Sequence, residues 1–457
     1  MDLHCQLHPL PYHADPAVYF QRIHQQPGAV LLDSGRPAAL RGRFDILSAW
    51  PQASLNPRDG EAGRDFFDRL RACLHTLGPA RFKTDTELPF AGGLLGYLAY
   101  DFGRRLEHLP HAPDDDLHLP DAHFGLYDWA LISDHQRQTS QLVFHPSCPQ
   151  HQRQQLIELF SAAQDAACDA ASEAFHLRGQ FTGGIGRQTY RDAIARIHDY
   201  IRAGDCYQVN YTQRFQADYC GNPWWAYRSL RAACPTPFSA YLALGGDDAI
   251  LSLSPERFLR LHAGQIEARP IKGTRPRGAN PAADLDLAQQ LCGSIKDRAE
   301  NLMIVDLLRN DIGRSSKVGS VRVPELFSLE SYPNVHHLVS SITAELAPGL
   351  DAFDLLAGSF PGGSITGAPK IRAMQIIDEL EPQRRSLYCG SVAYVDVRGK
   401  MDSSITIRSL LARQGRISCW GGGGIVMDSD WRDEYQESID KVKVLMETLQ
   451  ERGDTLG

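Results

Sequence analysis

With 457 residues and 43% hydrophobic content, the chain is long enough for one large core or two to three ordinary domains. Lysine and arginine total 47 against 55 acidic residues, and a net charge of −8 offers no general attraction to phosphate backbones or anionic lipid, so nucleic acid is not an expected partner. The start has no basic stretch leading into an apolar run, no run of about eighteen apolar residues occurs, and the ten cysteines include no CxxC pair; a cytoplasmic chain without membrane span, zinc ribbon or disulfide framework is expected.

In chain order, "GAVLLDS" (28–34) and "FAGGLLGYLAYDFG" (90–103) read as buried strands or close backbone contacts, and "PHAPDDDLHLPDAH" (110–123) as a surface connection. The alanine-rich stretch 160–175 and the glycine-rich "RGQFTGGIGRQ" mark a boundary between an N-terminal lobe, 1–170, and a second lobe, 180–450. Beyond it Tyr190, Ile194, Ile197 and Ile201 recur at helical spacing, Gly204 supplies a stop, and "CYQVNYTQRF" reads as a strand. "AILSLSPERFLRL" and "QIEARPIKG" read as two strands joined across "HAG", which puts Lys272 at a strand end. Helices are expected over about 284–310 and 432–450. Strands and helices without regular alternation indicate an α+β fold.

Lys272, in "RPIKGTRPRG", has Arg269, Arg275 and Arg277 within five residues. A strand-end lysine is ordinarily a solvated charge; here neighbouring cations and burial would both disfavour the ammonium, the condition for a nucleophilic amine. Glu256 precedes the hairpin and reads either as an acid facing the same cavity or as a cross-strand ion-pair partner. Glu300 falls on the apolar stripe of its helix with Ile304 and Leu307, where a carboxylate needs a cation. Glu434, Glu437 and Lys441 share one face of the last helix, as surface pairs or, with Glu300, as holders of Mg²⁺. The glycine runs "FPGGSITGAPKIRAM" and "CWGGGGIV" are turns or anion seats and fit neither a Walker loop nor a dinucleotide fingerprint.

The segments "SLSPERFL", "RPIKGTRPRG", "DRAENLMIVDLLRNDIGR", "FPGGSITGAPKIRAMQIIDELEP", "SSITIRSL" and "GGGGIVMDSDWRDEYQES" together resemble the chorismate-utilising enzymes, and within them the aminodeoxychorismate-forming branch. The resemblance runs from about Gly183 to Leu449 and implies a two-lobed, anthranilate-synthase-type α+β fold with antiparallel sheets around a central cleft. It also implies Mg²⁺ on Glu300 and Glu437 with Glu434 nearby, clamping the ring carboxylate of chorismate. By the same resemblance Arg408 and Tyr388 hold the enolpyruvyl carboxylate, and Gly422, Gly423, Gly424 and Lys441 line the substrate. Ser364, His337 and Thr274 fall at further site positions.

Relatives that make anthranilate or isochorismate usually carry alanine where this chain has Lys272. The resemblance therefore implies that Lys272 attacks C2 while Glu256 protonates the departing 4-hydroxyl, and that ammonia then enters at C4. Gln208 stands where water-adding relatives place a lysine, which favours ammonia as nucleophile. No glutaminase motif is present, so a separate glutamine amidotransferase is the expected ammonia source, with 4-amino-4-deoxychorismate as product for p-aminobenzoate and folate. An anthranilate synthase component I and a non-catalytic chorismate or tryptophan sensor are the rival readings. A tryptophan pocket is expected around Ser34, Arg41, Gly42, Arg43, Phe44, Pro237, Phe238 and Ser239. Trp420 and Gly421 depart from the small residues usual in relatives and are expected to narrow the rim of the site.

Overall fold

The computed structural model describes residues 3–39, 42–83, 86–111, 113–162, 174–331 and 335–454. Two sheets organise these residues, one of thirteen strands and one of ten. The elements that carry the site are, in chain order, β1 (Val30–Asp33), β2 (Gln208–Cys220), β3 (Asp248–Ser254), β4 (Arg257–His262), β5 (Gln265–Ala268), β6 (Ile271–Pro276), α1 (Pro281–Gly293), α2 (Ile295–Gly313), β7 (Val335–Glu345), α3 (Lys370–Leu380), β8 (Arg416–Ile425) and α4 (Trp431–Asp454). In the first sheet β1 leads through Phe238–Gly245 to β3, then through Ser409–Arg413 to β8 and β2. In the second, β6 and β5 both pair with β7, and β5 leads through β4 and Met401–Ile405 to Ser391–Asp396 and Gly93–Leu98. The ladders are antiparallel, as the α+β reading expects. Each sheet takes strands from both halves of the sequence, so 1–170 and 180–450 are not separate sheets; the boundary at 163–173 lies outside the described residues.

One apolar cluster joins the two sheets to the helices, with Leu94, Leu261 and Ile266 of the second sheet, Ile250 and Leu411 of the first, and Ile304, Leu308 and Ile312 of α2. A second covers the other face of the first sheet, around Trp129, Trp224 and Leu445. Each such side chain contributes roughly 1.5–3 kcal/mol on burial, which makes the sheets a rigid support for the cleft.

The strand expected over "AILSLSPERFLRL" is two strands in different sheets. Pro255 has no N–H to continue a ladder, and the chain crosses from β3 to β4 at Pro255–Glu256. A second crossing, from Met401–Ile405 back to Ser409–Arg413, runs beside it. Side chain and backbone stitch the two together: Ser254 Oγ donates to the Ile405 carbonyl at 2.6 Å, Ile405 N–H to Glu256 O at 3.1 Å, and Leu253 N–H to Arg408 O at 3.0 Å. Glu256 and Arg408 therefore stand at adjacent crossings, where the sheets part.

The helix expected over 284–310 is also two. Asn280 caps α1, with Pro281 in its first turn, and Ser294, in extended geometry, caps α2 by accepting from Asp297 N–H. The glycine run "GGGG" lies inside β8 and does not interrupt it. Among the described residues no helix is long and apolar enough to cross a membrane, and the described cysteines are free thiols.

Candidate active site

The chain reaches Lys272 through Arg269–Pro270, which ends β5 and restarts pairing with the same neighbour as β6. Register passes from Ile271↔Val339 to Thr274↔His337, so Lys272 and Gly273 together oppose one residue of β7. Such a bulge takes a side chain out of the normal alternation. Gly273 adopts φ +80°, and a Cβ there would stand 2.9 Å from Leu291 of α1, so this position requires glycine. Lys272 Nζ donates to the Ser364 carbonyl at 3.2 Å. Burial pulls its pKa below the ordinary lysine value and Lys441 adds to the effect, while Glu256, Glu300 and Glu437 oppose it. The three nearby arginines are not the cause. Arg269 pairs with Glu330 and Glu325 at 2.7 and 3.0 Å, Arg275 with Asp297 at 2.9 Å and Arg277 with Asp284 at 2.6 Å, so each is neutralised locally.

Glu256 is 6% exposed, and burial pushes its pKa up to about 7 against Lys272, the Ser364 hydroxyl and the Ile271 N–H, all of which favour the carboxylate. The cross-strand ion pair does not form; the acid and the amine meet instead through Ser364. Its hydroxyl donates to Glu256 Oε1 at 3.1 Å, and its carbonyl accepts from Lys272. Ser364 occupies a single 3₁₀ turn, Gly363–Ile365. Beneath it Lys370 pairs with Asp311 of α2 at 2.6 Å and donates to Ser359 O at 2.9 Å, and Arg385 donates to Ile365 O at 2.9 Å and Asn210 O at 2.8 Å. Buried charges paired this way fix the turn's position.

The far side of the cleft is acidic. Burial raises the pKa of Glu300 on α2 and of Glu434 on α4, and the charge of Glu437 raises both further. Glu437 also feels burial upward, but Lys441, paired with it at 2.7 Å, leaves it below the ordinary value. Glu434 accepts from Ser429 Oγ at 2.7 Å, and Lys441 donates to the Gly422 carbonyl at 2.8 Å. A Cβ at Gly423 would lie 3.0 Å from Glu434 Oε2, so the glycine leaves room beside the acids. Among the described residues no three acidic, histidine or cysteine side chains converge closely enough to enclose a metal. Lys272, Lys441 and Lys296, which lies one turn before Glu300, supply the positive charge beside these acids. Oxygen donors from two helices, in surroundings that disfavour unpaired carboxylates, still suit Mg²⁺, which binds through one or two carboxylates and keeps other positions for water or substrate.

Arg408 sits at the second crossing with φ +52°, and its guanidinium forms no ion pair among the described residues. Burial, then Arg408, pulls the His337 pKa down to about 4, so the ring is neutral near pH 7. Thr274 Oγ1 and His337 Nδ1 are 2.9 Å apart, which ties the Lys272 bulge to β7. Tyr388 reaches the same crossing through its neighbour Cys389, whose N–H donates to Thr406 O. Trp420 stacks on Tyr388, with centroids 5.9 Å apart and planes at 6°, and is buried in the core. A Cβ at Gly421 would fall 1.8 Å from Ser438 O, so this glycine lets α4 lie against β8. Neither residue narrows the rim: one backs Tyr388 and the other seats a helix.

Gln208 and Asn210 share a face of β2. Gln208 Nε2 donates to Asn210 Oδ1 at 3.2 Å, and Asn210 Nδ2 to the Ser364 carbonyl at 3.3 Å. A Cβ at Gly424 would stand 2.5 Å from Gln208 Nε2, and one at Gly422 would stand 2.4 Å from Tyr211 O, so these glycines let β8 close on β2. Asn210 and Lys296 were not among the candidates from sequence, although period-two spacing from Gln208 and the i, i+4 step to Glu300 carried the signal.

Residues 29–447 match the family described as chorismate binding enzyme. The chain belongs to this family. The chorismate-binding chain is 49% identical over 452 residues to aminodeoxychorismate synthase component 1 of Klebsiella aerogenes, across 96% of this chain and 98% of that protein. It is 47% identical over 442 residues to the protein of the same name from Escherichia coli (strain K12), across 94% and 95%. Among solved structures it is similar to anthranilate synthase component I from Streptococcus pneumoniae TIGR4, with TM-score 0.77, 32% identity and coverage of 89% of this chain and 93% of that one. The two-lobed anthranilate-synthase-type α+β fold is the fold of the chain.

This chorismate-binding chain also holds a cavity of about 990 Å³ walled by both sheets. Ser34, Gly42, Arg43, Phe44, Pro237, Phe238 and Ser239 all line it, while Arg41 lies outside the described residues. Ser34 Oγ donates to buried Asp45 at 2.7 Å, Arg43 lies over the Phe44 ring, and Arg257 lies over that of Phe238. Lys272 and Glu256 are not among its lining residues, but their chain neighbours Ile271 and Pro255 form part of its wall.

Proposed function

We propose that the chain is the chorismate-aminating component of an aminodeoxychorismate synthase. The observation that carries this reading is a buried lysine amine of lowered pKa sharing one serine with a carboxyl that titrates near 7. The Lys272 lone pair attacks C2, both ring double bonds shift, and the C4–O bond breaks as Glu256 delivers its proton, releasing water. Ammonia then bonds to C4, both double bonds shift back, and the C2–N bond breaks with its electron pair returning to Lys272. Two displacements restore the geometry at C4. Arg408 and Tyr388 hold the enolpyruvyl carboxylate, and neutral His337 beside Arg408 leaves that guanidinium's charge for the anion. Glu300 and Glu437 would hold Mg²⁺, with Glu434 close by; when bound, the metal supplies positive charge for the ring carboxylate. Ammonia comes from a separate glutamine amidotransferase subunit, a reading supported by the "component 1" in the relatives' names.

Incubation of the protein with chorismate, Mg²⁺ and ammonium, followed by mass analysis, is expected to give 4-amino-4-deoxychorismate with its enolpyruvyl group retained. Chelation of Mg²⁺ is expected to stop the reaction. A product without the enolpyruvyl group would instead indicate an anthranilate synthase, and unchanged chorismate a binding protein.

The cavity between the sheets is the proposed tryptophan site, because the described pocket residues converge on one space that offers aromatic faces and buried polar groups. Calorimetry is expected to show tryptophan binding, or the purified protein to contain tryptophan already; neither heat nor bound tryptophan would remove the proposal.

A further inference from the structure

Asn301 is 0% exposed and stands on the buried stripe of α2 with Ile304 and Leu308. An amide there costs stability unless it is hydrogen-bonded, and an apolar residue would pack the stripe without that cost. Both ends of this amide are engaged by β7: Nδ2 donates to the Leu338 carbonyl at 3.4 Å, and Oδ1 accepts from the Ser340 hydroxyl at 2.6 Å. A single buried asparagine of this kind fixes the register of packed elements. Ser340, also 0% exposed, reaches in two further directions: its Oγ accepts from Phe327 N–H at 3.1 Å, and its own N–H donates to the Pro270 carbonyl at 3.3 Å, two residues before Lys272. Asn301 is in turn the chain neighbour of Glu300. The pair thus joins the helix that carries an acid of the cleft to the strand junction that carries the amine.

We propose that Asn301 is a positioning residue whose hydrogen bond with Ser340 sets the spacing between the Glu300 carboxylate and the Lys272 amine; this rests on the amination reading above. A helix shifts as a rod, so fixing Asn301 fixes Glu300, which lies about 1.5 Å along the axis. Glu300 would anchor the ring carboxylate through Mg²⁺, and in chorismate that carboxylate stands on C1, the atom next to C2. The anchored and the attacked atoms are therefore neighbours, and any slip of α2 against β7 moves C2 relative to Lys272. Attack requires the amine about 3–3.5 Å from C2, and a misplacement of about 1 Å can cost about a hundredfold in rate. Binding is less sensitive, because Arg408, Tyr388 and the helix carboxylates remain to hold the substrate. The polar group on the stripe serves placement of the ring.

The test is Asn301→Leu and Ser340→Ala, alone and together, with Ser340→Ala carrying the same reading where the leucine variant does not fold. Formation of the Lys272 adduct, followed by mass with ammonia withheld, is expected to slow by about tenfold to a hundredfold in each. The chorismate Kd in the presence of Mg²⁺, from calorimetry, is expected to change by roughly threefold or less. The double variant should lose no more than the worse single one, since all three break one bond. Wild-type adduct rates in both single variants overturn the proposal. So do rate losses that multiply in the double variant, and so does weaker chorismate binding in step with the rate, which would make the bond a general support of the site. A wild type that forms no adduct would remove the lysine mechanism, and this proposal with it, before any variant is compared.

Discussion

Replacing Lys272 by alanine is expected to lower chorismate amination by roughly a thousandfold or more, because the substitution removes the group that opens the first of two displacements. The amine is held by geometry specific to this position: a bulge that requires Gly273, a partner turn fixed by the Lys370–Asp311 pair, and a serine carbonyl 3.2 Å away. Lys272→Arg is expected to fail as completely. Arginine retains charge and much of the length but stays protonated at any working pH, so it tests for a neutral amine rather than a cation. Both variants are expected to bind chorismate, since Arg408, Tyr388 and the helix carboxylates are untouched. Steady-state rates with saturating ammonium, alongside chorismate binding by calorimetry, check this; amination at the wild-type rate in the alanine variant would refute it.

Glu256→Gln is expected to cost about a hundredfold to ten-thousandfold, the usual range for a positioned acid. The pH profile carries more information than the rate. The reactive form carries a proton on Glu256 and none on Lys272, so the wild-type profile should be a bell with one limb at about 7, from Glu256, and the other at the lowered value of Lys272. In the glutamine variant only the lysine titrates, so the alkaline fall should disappear and leave a single rising limb. A bell of unchanged shape in Glu256→Gln would show that another group is the acid.

The helical periodicities of 187–202 and 431–454, the hairpin across "HAG" and the clustering of motif residues around one cleft were legible in the sequence. The crossing at Glu256 was not. Alternation continues on both sides of Pro255, and only tertiary pairing reveals that the two halves enter different sheets. Lys272 shows the complementary limit. Its arginine neighbours are visible in the sequence, but the acids that neutralise them, Glu330, Asp297 and Asp284, come from segments whose approach local pattern does not specify. The reading of a lowered pKa names neighbouring charge and burial together; burial is the cause that holds, and the arginine charge drops out because distant acids neutralise it. Ser364 lies 92 residues from Lys272, and no spacing rule joins them. Asn210 and Lys296, by contrast, were within reach of period-two and i, i+4 arguments applied to Gln208 and Glu300.

Pro255 and Ile271, in the wall of the interior cavity, place that cavity one peptide bond from Glu256 and Lys272. Anything that shifts these residues moves the acid or the amine through one peptide bond. The tight stitching of the crossings by Ser254, Ile405 and Leu253 limits such movement and keeps the pair in register.

The central claim is a covalent bond between Lys272 and the ring, and intact-protein mass spectrometry with ammonia withheld tests it most directly. Protein mixed with chorismate and Mg²⁺, then quenched, should gain the mass of chorismate less one water. The gain should map to the peptide containing Lys272 and should vanish on addition of ammonium. Protein that remains unmodified throughout, yet aminates chorismate at full rate once ammonium is supplied, would contradict the account.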